Sequence, residues 1–145
     1  MADTSQNYAN HTRWHPPFHF FALPVLLINF VWAIVECVRH PGWNQGWWIV
    51  VSFALLVLAV VVRNRALKVQ DRLIRLEEKL RYQQLLPSDL AQQAGALRVS
   101  QIIALRFAAD EELDGLVRDV LGGRLTKPAE IKKAIRNWRG DTFRV

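Results

Sequence analysis

Phe18–Val38, FHFFALPVLLINFVWAIVECV, and Trp43–Val62, WNQGWWIVVSFALLVLAVVV, are two apolar runs separated by a short polar turn over residues 39–42. At about 1.5 Å of rise per residue, each run is long enough to cross a bilayer core roughly 30 Å thick. The first run holds one charge, Glu36, and the second holds none before Arg63. A helix in a soluble core normally turns one polar face to water. Apolarity this unbroken therefore predicts a transmembrane helical hairpin over residues 18–62. A signal peptide fits less well. The first run exceeds an ordinary signal h-region, no small-residue cleavage site precedes the turn, and the residues before it are not strongly basic, so the anchor is expected to be retained.

Of the 145 residues 51% are apolar, yet the mean hydropathy is only +0.04, because a very apolar front half is averaged with a polar back half. The net charge of +6 is unevenly placed. Between residues 63 and 81 stand Arg63, Arg65, Lys68, Arg72, Arg75, Lys79 and Arg81 against Asp71, Glu77 and Glu78. By the positive-inside rule this places the C-terminal part in the cytoplasm, and an even number of spans returns the N-terminus to the same side. Cys37, the one cysteine, has no partner for an intramolecular disulfide, which suits a reducing compartment.

Residues 1–17 form an N-terminal interfacial segment, polar with aromatic and histidine insertions, in which Pro16-Pro17 disfavours continuous helix. His11, His15 and His19 fall at i, i+4 and i+8, a spacing that lines one helical face and offers imidazoles to a metal. The proline pair interrupts that face and no carboxylate or cysteine joins the set, so interfacial hydrogen bonding is the better reading and neither metal nor cofactor is expected. Inside the first run, Asn29 lies where it can hydrogen-bond to a neighbouring helix. Glu36 has Arg39 at i+3 and His40 at i+4, so a local ion pair at the interface is expected. An ion- or proton-handling carboxylate is the functional alternative. Pro41-Gly42 makes the turn, and Trp43, Trp47 and Trp48 mark the outer interface.

The second run ends without a helix stop, so the helical pattern continues as a stalk over residues 63–86 until Pro87 ends it. Val62, Ala66, Val69, Leu73, Leu76, Leu80 and Gln83 are spaced 4, 3, 4, 3, 4, 3, the repeat of a coiled-coil seam centred on Val69, Leu73, Leu76 and Leu80. The alternatives are packing of this stripe on the chain's own tail, or a helix lying on the bilayer with its arginines toward anionic lipid. Residues 87–145 read as a small helical domain. Ser88 or Asp89 caps a helix carrying Leu90, Ala94 and Leu97, and Ser100 caps one carrying Ile102, Ile103, Leu105 and Phe107. Asp110-Glu111-Glu112 opens a third that Gly122-Gly123 stops. Thr126 with Pro128 starts a last helix with the stripe Ile131, Ala134, Ile135 and Trp138. About sixty residues is near the lower limit for an independent core, so this domain should lean on the stalk or on a second copy. The fold class expected is all-α: a two-helix transmembrane hairpin, a second span running into a long cytoplasmic helix, then a small helical domain.

No phosphate-binding loop, dinucleotide fingerprint, zinc-protease motif or nucleophile elbow occurs, so no enzymatic activity is expected. The basic side chains Arg63, Arg65, Lys68, Lys132, Lys133 and Arg136 suit anionic lipid. Residues 87–145 hold ten basic against eight acidic side chains, too small an excess for nucleic acid. The stretches Gln6–Arg13 followed by Pro17–Phe21, Ala104–Leu113 and Ile131–Trp138 together resemble an uncharacterised family of short bacterial membrane proteins known only as a domain of unknown function. The resemblance implies a bacterial two-span protein and adds no activity or ligand. The expected function is thus a membrane-anchored, oligomeric scaffold or adaptor in the bacterial cytoplasmic membrane. Its partners would be the bilayer, further copies of itself and a cytoplasmic protein. The alternative is a small oligomeric channel or transport subunit, with Asn29, Ser52 and Glu36 as its few polar lining residues.

Overall fold

The computed structural model describes Asn7, Tyr8 and residues 15–140. Among these the chain is all-helical, with α1 over Leu23–Arg39, α2 over Trp43–Leu85, α3 over Ser88–Gly95, α4 over Val99–Leu105, α5 over Asp110–Leu121 and α6 over Pro128–Ala134. It divides into two compact units, residues 13–67 and residues 68–145 with the first twelve, and α2 passes from one to the other between Leu67 and Lys68.

In the first unit, α1 is preceded by a π-helical turn, Pro17–Ala22. Pro17 stands at its first position, where a missing N–H goes unmissed, so the proline pair opens the helix instead of keeping it apart from the apolar run. Pro24 explains the wide turn ahead of it. Its ring would meet the carbonyl of Phe20 in α-helical register, and the looser i→i−5 pattern, with the Leu23 N–H on the Phe18 carbonyl, relieves that clash. The helical segments Pro17–Arg39 and Trp43–Leu85 are long and apolar enough to cross a membrane. Leu27, Ile28, Trp32, Trp47, Phe53 and Leu58 are all exposed.

The second unit has its own core. Tyr82 near the end of α2 and Leu86 just after it lie at the centre, and around them pack Leu90 and Ala94 of α3, Leu105 of α4, Leu113 and Val117 of α5, and Ile131 of α6. Several helix ends differ from expectation. Pro87, not Ser88 or Asp89, is the N-cap of α3, with no side-chain cap bond. Arg98, not Ser100, is the N-cap of α4, and its N–H donates to Oε1 of Gln101 at 3.2 Å. Lys127 is the N-cap of α6. Its N–H and that of Thr126 both donate to Oε2 of Glu130, at 3.0 and 3.1 Å.

The expected last helix is also cut short. It stops at Ala134, and Trp138 lies in a single antiparallel bridge with Ala108. Glu112 is the physical reason. Its two carboxylate oxygens accept the N–H groups of Arg136 and Asn137, each at 3.1 Å, which another helical turn would have bonded within itself. The chain then runs alongside residues 107–109, with the Arg139 N–H on the Phe107 carbonyl at 2.7 Å and the Ala109 N–H on the Asn137 carbonyl at 3.0 Å. Trp138 packs on Phe107 with the rings tilted by 34° and their centroids 5.0 Å apart.

Candidate functional site

The stalk part of α2 carries two opposed faces. One holds Ile74, Glu78, Arg81 and Tyr82, all buried, as is Leu86 just past the helix end. The other holds the heptad stripe, where Val69 is 67% exposed, Leu73 54%, Leu76 57% and Leu80 52%. The stripe therefore does not pack on the chain's own tail. The tail takes a different face of the same helix, marked by Ile74, Glu78, Tyr82 and Leu86 at steps of four.

Polar chemistry gathers on the buried face. The Arg81 guanidinium donates through Nε and Nη2 to Oδ1 of Asp110 at 2.9 and 2.5 Å, through Nη1 to Oε2 of Glu78 at 3.1 Å, and through Nη2 to the Ala108 carbonyl at 2.7 Å. Arg139 lies 3.6 Å from the other oxygen of Glu78. Burial pushes the Glu78 carboxyl above its usual range, with Arg81, Arg139 and Arg106 opposing the shift. Burial also raises the Tyr82 phenol, helped by the nearby Glu78 carboxylate. Beside these groups opens a cleft of about 670 Å³, lined by Ile74, Leu80, Gln84, Leu85, Arg106 and Arg139 among others. Its two inner charges, Glu78 and Arg81, already satisfy one another, so the network works as a clamp between α2 and the start of α5. Among the described residues no group of three or more His, Cys, Asp or Glu side chains is placed to hold a metal. The acids of the α5 first turn diverge. Asp110 meets Arg81 and Glu112 caps the chain after α6.

In the 13–67 unit, Asn29 Nδ2 donates to Oγ of Ser52 at 2.8 Å, joining α1 to α2 beside the Phe30–Phe53 ring contact at 5.8 Å. Two of the three polar side chains considered for a pore thus face each other. Glu36 is half-buried, and among the described residues it does not make the expected ion pair with Arg39 or His40. The His40 contact is its backbone N–H on the Glu36 carbonyl. One helical turn brings His19 to His15, whose N–H lies 3.2 Å from His19 Nδ1. His11 lies outside the described residues. Of the basic side chains expected to meet lipid, Arg63 lies 5.9 Å from the Phe18 ring centroid and Arg65 is exposed. In the other unit, Lys68 and Arg136 are exposed, while Lys132 and Lys133 stand 5.5 Å from the ring centroids of Phe107 and Tyr8 respectively.

The family model described as a family of unknown function, DUF6526, matches residues 1–145. The chain belongs to DUF6526. No curated protein and no solved structure matches it. Within this DUF6526 chain, sequence reasoning passed over Glu78, Arg81 and Tyr82. The available signal was the four-residue spacing of Ile74, Glu78, Tyr82 and Leu86, which competes with the heptad on the same helix. The partner groups Ala108 and Asp110 lie almost thirty residues away and leave no local trace.

Proposed function

We propose that this protein is a membrane-anchored scaffold. In this reading α1 and the first part of α2 cross the bacterial cytoplasmic membrane, the stalk joins copies of the chain, and the small helical domain meets a cytoplasmic protein. The observation that carries the reading is the heptad stripe left uncovered while Ile74, Glu78, Arg81 and Tyr82 on another face of the same helix are buried. Apolar side chains repeated in this way are stabilised by burial against a like surface, at roughly 25 cal/mol per Å² of area removed from water. The exposed apolar side chains of α1 and early α2 support membrane insertion, since a lipid environment removes the cost of leaving them in water. The basic residues that follow Val62 support a cytoplasmic stalk.

The test is the mass of the nanodisc-solubilised protein by native mass spectrometry. Wild type should give a defined oligomer, and Leu73→Asp/Leu80→Asp should reduce it to the monomer. Monomers in both samples would refute self-association.

A further inference from the structure

The stalk's charges indicate how a second copy would lie against it. With Leu73 and Leu80 at a positions and Val69 and Leu76 at d, the g positions are Arg65, Arg72 and Lys79, and the e positions are Arg63, Gln70, Glu77 and Gln84. The residues that hold the C-terminal domain fall elsewhere on the wheel. Ile74 and Arg81 are at b, Glu78 at f and Tyr82 at c; Leu86 falls at g, and Glu77, Leu80 and Gln84 line the cleft beside the domain, yet Val69, Leu73, Leu76 and Leu80 all stay more than half exposed.

In an antiparallel pair, g faces g, which would set three basic residues against three basic residues. In a parallel, in-register pair, each g faces the e position five residues further along its partner. Arg72 of one copy then meets Glu77 of the other, twice by symmetry. Both side chains are exposed, and neither takes part in an ion pair among the described residues. We infer that the occupant of this face is a second copy of the chain, parallel and in register, with interchain Arg72–Glu77 pairs selecting that orientation. This inference rests on the stalk being a self-association element.

The experiment uses full-length protein in nanodiscs with two differently tagged copies. Arg72→Glu alone sets acid against acid, and Glu77→Arg alone sets base against base. Mixed, the two variants restore both attractive pairs. Co-capture of Arg72→Glu with Glu77→Arg should exceed homotypic capture of either by about tenfold at low salt, and the preference should shrink as salt screens these exposed charges. In a Cys37→Ser background, Val69→Cys and Leu80→Cys should each cross-link to themselves and not to one another, because eleven residues separate them by about 16 Å along the helix. A wild-type oligomer in which the charge variants mix without preference, or in which 69–80 cross-links dominate, would overturn the parallel pairing and leave the scaffold reading standing. A wild-type monomer would overturn both.

Discussion

Arg81 is the side chain on which the stalk-to-domain junction depends. It is 9% exposed beside Glu78 at 6%, while Asp110 stands 57% exposed at the rim. Removing one partner of a buried pair leaves the other charge without compensation. Arg81→Met should therefore lower the unfolding free energy by about 3 kcal/mol, measured by urea titration of the detergent-solubilised chain. Glu78 sets a pH dependence of its own. Its folded pKa lies above the ordinary 4.5, so it keeps its proton where the unfolded chain has lost it. Its contribution is therefore fully present below that ordinary value and is lost as pH rises through the raised one. Relative to wild type, Glu78→Gln should gain in urea midpoint as pH rises from the ordinary 4.5 through the raised folded value. An unchanging difference would show that the Arg81 contact holds the carboxylate charged throughout. None of this trio was legible as a site, because i, i+3 charge pairs on a stalk look like an ordinary solvated surface until the domain covers them.

At the scale of elements, helix existence was legible and helix ends were not. Apolar spacing located α5, and Gly123, with φ of 78°, stops it as a glycine pair should. For α6 the spacing misled. Trp138 continues the stripe of Ile131 and Ile135, yet it sits on the bridge to Ala108 because Glu112, twenty-four residues earlier than Arg136, takes the backbone donors that would have extended the helix. Glu112→Ala should cost about 1 to 2 kcal/mol in urea unfolding, and Glu112→Gln, which keeps one acceptor oxygen, should cost less. Equal losses would assign the effect to charge and not to the cap.

At the scale of the whole molecule, one long helix belongs to two units of opposite character. From Trp43 to Leu67 it presents mostly exposed apolar side chains, and from Lys68 onward it is amphipathic with one face inside a helical core. A chain built this way should remain in the membrane pellet after alkaline carbonate or high-salt washing of expressing cells and should be released only by detergent. Recovery in the wash would argue for peripheral attachment, and with it against the proposed anchor.

The sequence alone determined the two long apolar helices, the uninterrupted passage of the second into the stalk, the heptad stripe and the all-helical tail. These features follow from local composition and periodicity, which act along the chain and need no partner. Only the tertiary structure decided which face of the stalk the tail would take, that Arg81 would join Glu78, Ala108 and Asp110, and that the last helix would end at Ala134. Apart from the i, i+3 pair of Glu78 and Arg81, those outcomes depend on donors and acceptors brought together from positions about twenty-five to thirty residues apart. The bonds that settle them exist only once the helices have packed.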